Sequence, residues 1–254
     1  MLRFEESGQG SPLIMLHAFP LTGQMYWQQL EKPPDGVRFI APDFRGFGKS
    51  ASSAGSMTME SMADDVLALM DRLELPSAFI GGVSMGGYVA MALTRRDPGR
   101  VRGLVLADTQ LGADDEAGRA KRETTAKELE SKGIEPLIAS MLPKFLTSAA
   151  PTALRERLEQ IMRSVSAQAA AAATRAMALR VDARDILSRF GGPSLVLVGD
   201  GDAVTPLEKA KAMADLLGGA KLEVIVGAAH LSNVEQPEAF NTALARFFAA
   251  AERR

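Results

Sequence analysis

The segment Ala78-Phe79-Ile80-Gly81-Gly82-Val83-Ser84-Met85-Gly86-Gly87 organises the reading of the whole chain. Its first six residues are uncharged and apolar, as in a strand covered on both faces. Gly82-Val83-Ser84-Met85-Gly86 then spells Gly-x-Ser-x-Gly. A helix-like segment follows Gly87, carrying Val89, Ala90, Ala92 and Leu93, and should stop before Pro98. In that strand–turn–helix context a serine is held at strained backbone angles with its hydroxyl above the sheet. Side chains two residues before and after it would collide, and glycine has none. The N–H of Met85 falls at the helix N-terminus, aimed at negative charge developing on a carbonyl oxygen. The plainer alternative is a glycine-rich turn with an ordinary serine. A phosphate-binding loop would need Gly-Lys-Ser/Thr, which is absent. Ser84 is therefore read as a nucleophile.

Similar apolar runs flank this one: Pro12–Leu16, Val37–Ala41, Gly103–Ala107, Ser194–Val198 and Lys221–Val226. Helix-like segments separate them. Thr58 can cap one that runs to about Leu73, with Met62, Val66, Leu69 and Leu73 on one face. Pro206 can open one to about Leu217, and Pro237 one to about Ala250. Such alternation predicts an α/β fold, a mostly parallel sheet flanked by helices.

The rhythm breaks between Leu111 and Phe190, which hold no strand-like run. The stretch opens with the acidic GADDEAG and contains the alanine-rich SAQAAAAATRAMAL, a helix by propensity. It reads as several helices inserted between two strands. Residues 1–110 and 191–254 then form the core, and 111–190 a helical lid beyond the carboxyl edge of the sheet, where such folds bind ligands. The terminal AAAERR reads as a frayed end.

The 254 residues are 46% hydrophobic and 24% charged, with a net charge of −2, which gives no electrostatic reason to expect nucleic acid or an anionic membrane as partner. No membrane span or signal peptide is read at the N-terminus. Cysteine is absent, which excludes thiolate nucleophiles and cysteine-ligated metal and fits a reducing cytoplasm. No metal site or cofactor is expected. The sequence carries no sign of oligomeric state.

Two histidines, His17 and His230, are the only imidazoles a serine could use as base. His230 follows the run ending at Val226, so it lies at the carboxyl edge that also holds Ser84. His17 ends the first run and reads as a loop-shaping residue. An acid should orient the imidazole. Asp200 and Asp202 follow one strand and Asp108 ends another, and residue types alone leave all three open.

With these motifs in place, the chain resembles the α/β-hydrolase fold of carboxylesterases and 3-oxoadipate enol-lactonase-like hydrolases over nearly its whole length. In that family the acid lies three residues after a strand-end glycine, with a proline four residues further on. Gly199, Asp202 and Pro206 match, so the resemblance implies Asp202. His230, Glu235 and Pro237 match the family's histidine and the Glu-x-Pro after it. Asp43-Phe44-Arg45-Gly46-Phe47-Gly48-Lys49-Ser50 matches a turn read as structural, shaping the pocket floor. Leu16-His17-Ala18-Phe19-Pro20 resembles the family's oxyanion loop, which implies the N–H of Phe19 as a donor beside that of Met85. Ala18 replaces a glycine there and would be strained if the loop needs positive φ. The first hairpin looks short, so the resemblance implies seven strands or a stunted eighth.

The reading that follows is a serine hydrolase cleaving carboxylic esters of small apolar molecules through Ser84, His230 and Asp202. A lactonase, a carbon–carbon hydrolase, a perhydrolase or a slow-turnover receptor would use the same set. Trp27, Met141 and Phe145 are expected pocket walls, with Leu142, Leu146, Met162, Val165, Met177, Met25 and Tyr26 as further candidates. No clustered arginines announce an anionic substrate.

Overall fold

The computed structural model describes residues 1–52 and 56–253. Strand residues alternate between two buried faces. In β2 (Ser11–Leu16), Leu13 and Met15 turn to one side of the sheet and Ile14 and Leu16 to the other, all four fully buried. A strand buried on both sides cannot alternate apolar with polar, which is why these strands read as continuous apolar runs.

The sheet contains β1 (Phe4–Ser7), β2, β3 (Val37–Pro42), β4 (Ala78–Val83), β5 (Val101–Ala107), β6 (Ser194–Gly199) and β7 (Lys221–Ile225). Their order is β1-β3-β2-β4-β5-β6-β7, seven strands among the described residues. Only β1 pairs antiparallel, Phe4 opposite Pro42 and Ser7 opposite Phe39. The other neighbours pair parallel, so their carboxyl ends share one edge.

Helices cover both faces. On one side lie α2 (Met59–Arg72), α3 (Met85–Arg96) and α9 (Leu207–Leu216). Thr58 and Ser61 form a reciprocal cap at the start of α2, where sequence placed the N-cap. On the other side lie the short α1 (Trp27–Glu31), α10 (Ser232–Glu235) and the long α11 (Pro237–Ala251). Phe247 and Phe248 of α11 meet Phe79 of β4 at 5.9 and 4.6 Å between ring centres. Each such buried side chain contributes roughly 1.5–3 kcal/mol. Within the segment read as a frayed end, Ala251 closes α11 and Glu252 accepts hydrogen bonds from Ser11 and Arg102 at the surface. Arg254 lies outside the described residues.

Between β5 and β6 run α4 (Glu116–Lys132), α5 (Glu135–Phe145), α6 (Thr152–Arg163), α7 (Ala167–Ala178) and α8 (Arg184–Leu187). Alanines of α7 and Ala126 and Leu129 of α4 join the core on the α3 side, while Ile138, Phe145 and Leu158 join the core on the α11 side. The insertion thus straddles the carboxyl edge. No helix among the described residues is long and apolar enough to cross a membrane.

Candidate active site

The turn after β4 carries the backbone strain that its glycines predict. Ser84 has φ 54° and ψ −113°, a conformation few non-glycine residues adopt. A Cβ on Gly82 would sit 2.1 Å from the Gly86 carbonyl carbon, and one on Gly86 only 2.0 Å from the Leu16 oxygen. Any side chain at either place would push α3 off β4 or β2. Helix α3 begins at Met85 rather than after Gly87, so the Met85 N–H is the first of its orphan donors. The same contact brings the loop after β2 beside it. The Phe19 N–H of that loop has no acceptor among the described residues. Ala18 does not have a positive φ, so the alanine carries no strain of that kind.

Ser84 Oγ lies 2.9 Å from His230 Nε2, and His230 Nδ1 lies 2.9 Å from Asp202 Oδ2. Those partners set the tautomer: Nδ1–H donates to the carboxylate and Nε2 accepts from the hydroxyl. His230 and Asp202 are buried. Asp202 Oδ1 also accepts the N–H groups of Val204 and Thr205 at 2.8 and 2.9 Å, and Oδ2 the Thr205 hydroxyl at 2.6 Å. Burial works against its charge, but His230 and Thr205 outweigh it, and the carboxyl titrates below its ordinary range. Such a chain of contacts can deprotonate a hydroxyl as it attacks a carbonyl.

The three aspartates left open by residue type have different neighbours. Asp200 accepts the N–H groups of Gly227 and Ala228 at 2.9 and 3.3 Å and shapes the loop before His230. Asp108 is fully buried at φ 46°. Its Oδ1 accepts the Gly199 N–H at 2.9 Å, and its Oδ2 meets the Ser232 hydroxyl at 2.5 Å and N–H at 3.3 Å. It therefore ties the end of β6, which leads to Asp202, to the segment after His230. Burial raises its pKa to about 7, with the Asp202 charge adding to that and His230 and the hydrogen bonds opposing it. Nothing in the sequence announced this bridge, because it joins segments far apart in the chain.

His17 does shape a loop. Its Nε2 accepts the Phe44 N–H at 3.1 Å, so Nδ1 carries the proton and donates to the Ala18 oxygen at 3.0 Å. Burial lowers its pKa to about 4 against the Ala18 bond and the Asp43 charge. Asp43 in turn accepts the N–H groups of Gly23 and Lys49, each at 2.8 Å. The Asp43–Ser50 turn is structural, but it does not form the floor of the cavity at Ser84.

That cavity has a volume of about 550 Å³ and reaches from Phe19, Ser84 and His230 to α4, α5 and α7. Met141 and Met177 line it. Two expected walls do not. Phe145 is fully buried and stacks against the His230 ring, 5.8 Å between centres. Trp27 lies in a separate depression with the Arg157 guanidinium 4.3 Å over its ring. Both are large and apolar, which does not say which way a side chain faces. The cavity is also less apolar than expected, since Asp114, Lys121, Arg122, Glu128 and Lys144 line it.

Glu235 and Thr205 gain roles that the sequence left unstated. Glu235 accepts the Ala229 N–H at 2.9 Å beside His230, and the N–H of Thr147 at 2.9 Å in the insertion. Leu231 N–H donates to the Phe145 oxygen at 3.0 Å, so the histidine loop and the end of α5 are fastened together.

The alpha/beta hydrolase fold family matches residues 11–237. A 3-oxoadipate enol-lactonase of Acinetobacter baylyi is 30% identical over 91% of this chain and 86% of its own. A malate-bound thermophilic esterase from Thermogutta terrifontis superposes with a TM-score of 0.95 at 36% identity, covering 98% of this chain and 93% of that one. A bromoperoxidase from Bacillus anthracis superposes with a TM-score of 0.85 at 25% identity, covering 98% and 95%.

Proposed function

The chain belongs to the alpha/beta hydrolase fold family, and from that premise we propose that it is a serine hydrolase cleaving carboxylic esters of small molecules. One observation carries the reading. A strained serine, a buried histidine and a buried aspartate stand in a hydrogen-bonded line with both contacts at 2.9 Å, opening on a cavity of substrate size.

In this reading Ser84 Oγ attacks the ester carbonyl as His230 Nε2 takes its proton. Asp202 holds the imidazole and stabilises its cation. The N–H groups of Phe19 and Met85 receive the oxyanion. As the carbon–oxygen bond to the alcohol breaks, His230 returns the proton to the leaving oxygen. His230 then activates a water, which attacks the acyl-serine and frees the acid. No cofactor enters these steps, and the work is assigned to the reducing cytoplasm that a cysteine-free chain suits.

The names of the relatives favour a second reading on the same residues. An enol-lactone is a cyclic ester, and a perhydrolase replaces the attacking water with peroxide. Rates on simple esters, lactones and peracid formation separate these chemistries. Many rapid turnovers would also set an enzyme apart from a receptor that is acylated once. The main test is Ser84→Ala on p-nitrophenyl acetate and butyrate. Hydrolysis should fall by about 10⁴-fold or more, to background. A variant that kept the wild-type rate would overturn the proposal.

A further inference from the structure

The cavity over Ser84 holds charges that the hydrolytic steps do not use. Lys121 and Arg122 of α4 and Lys144 of α5 face it, with Asp114 and Glu128. Glu128 is bonded to Lys132 at 2.7 Å. Asp114 is shared by two guanidinium groups: Arg122 Nε meets one oxygen, and Arg180 Nη2 lies 2.6 Å from the other. Burial opposes the charge on Asp114, but the Arg180 and Arg122 guanidinium groups beside it overcome it and hold the group ionised below its ordinary pKa. One carboxylate between two arginines leaves one positive charge unmatched.

The two arginines spend their remaining donors differently. Arg180 is buried, gives Nε to the Gly112 oxygen at 3.0 Å and Nη1 to the Met177 oxygen at 2.9 Å, and lies 4.5 Å over the Tyr88 ring. It is a structural cation. Beyond Asp114, Arg122 has only the Met177 sulfur, 3.5 Å from Nη1, among the described residues. A thioether is a weak acceptor. Nη2 of Arg122 has no acceptor among the described residues, and the residue lines the cavity, so a guanidinium donor remains for a carboxylate. Lys121 and Lys144 have no ion-pair partner among the described residues and add to the positive field. This occurs in a chain whose net charge is −2, so the excess is local.

We propose that Arg122, braced by Asp114 and Arg180, binds a free carboxylate on the acyl half of the substrate. The chain then prefers monoesters or lactones of dicarboxylic acids over neutral esters of equal length. The acyl half is assigned because Arg180 packs over Tyr88, one helical turn beyond Ser84, whereas the alcohol must leave beside His230. The proposal rests on the serine-hydrolase reading, and its test has an arm that does not.

The kinetic arm compares mono-p-nitrophenyl glutarate with its methyl ester, which has the same acyl chain without the charge. The wild type should show a kcat/KM about 10- to 100-fold higher for the anionic ester, and the ratio should shrink as salt is added. Arg122→Met should bring the ratio towards one, and Arg122→Lys should restore part of it. A wild-type ratio near or below one, or a ratio unmoved by Arg122→Met, would overturn the carboxylate site. The binding arm titrates glutarate into Ser84→Ala protein by calorimetry. Binding should be present and should weaken about 10-fold or more on adding Arg122→Met. No binding, or equal binding, would remove the site even if neutral esters still turn over through Ser84. Glutarate binding that depends on Arg122, with hydrolysis indifferent to Ser84, would instead keep the site and remove the hydrolase reading.

Discussion

At the carboxyl edge of the sheet, His230, Asp202 and Asp108 are buried, and each is held by contacts to more than one partner. The helices above them also share apolar packing, yet α4 and α7 meet at their rim through Arg175, set between Glu123 and Glu130 in solvent. The edge is held by groups that cannot move singly without stranding a partner in a low dielectric. The rim is held by contacts that water can replace. The difference separates two tasks. On the function proposed above, the edge fixes the geometry of the reacting groups, and the insertion is assigned the choice among substrates.

The largest expected effect attacks the edge. Gly86→Ala would force a methyl group to within 2.0 Å of the Leu16 oxygen, a backbone atom that cannot swing aside. We expect a cost of about 3 kcal/mol or more, a melting temperature lower by about 6–12 °C, and loss of ester turnover. Calorimetry and p-nitrophenyl butyrate assays check this. A stable, active variant would mean that the contact between α3 and β2 is not what sets the turn.

A second experiment asks whether charge is as finely set at the edge as geometry. Asp108 holds its proton up to about pH 7 in the folded protein and to 3.8 ordinarily. The folded state therefore binds more protons between those values, and Asp108 makes stability fall as pH rises through that window. His17 is the reverse, titrating near 4 when folded against 6.5 ordinarily. It makes stability rise with pH between those values. The two slopes oppose each other over most of the range. Asp108→Asn keeps an acceptor for the Gly199 N–H, can donate to the Ser232 hydroxyl, takes the acceptor from the Ser232 N–H at both pH values alike, and removes one slope. Its stability should climb from pH 4.5 to 6.5 more steeply than the wild type's, by about 3 kcal/mol. Urea midpoints at the two pH values measure this, and parallel curves for both proteins would refute it.

The smallest effect belongs to the rim. Arg175→Ala removes both ion pairs to α4. The melting temperature should change by less than about 2 °C, and ester turnover should be unaltered. A larger loss would erase the contrast between edge and rim.

What could be read from the sequence follows the same division. Ser84 and His230 are legible because each follows a strand end, and parallel strands bring their carboxyl ends together, whereas only the family resemblance separates Asp202 from Asp200 and Asp108. The insertion is legible as helices from propensity and the lack of strand-like runs. Its inward-facing residues are not. Arg122 of α4 and Arg180, two residues past the end of α7, meet at Asp114 only because α4 and α7 pack together. No spacing encodes that encounter, so the cavity read as apolar when it is charged. Phe145 and Trp27 failed for the related reason that hydrophobicity predicts burial, not direction. Asp108 could be named as a rival acid from its strand end. Its actual partners, Gly199 and Ser232, depend on how three loops converge.

The fastening of the insertion to the histidine loop has a mechanical consequence. Glu235 grips Thr147 between α5 and α6, and Leu231 grips Phe145, so that corner behaves as a hinge post. On the proposed mechanism, displacing it would drag His230 along and spoil the proton path. The opposite end, where α4 carries Arg122, has no such tether to the histidine loop among the described residues. On the proposed reading, any movement of the insertion is expected at the end that carries Arg122, away from the segment tied to the His230 loop.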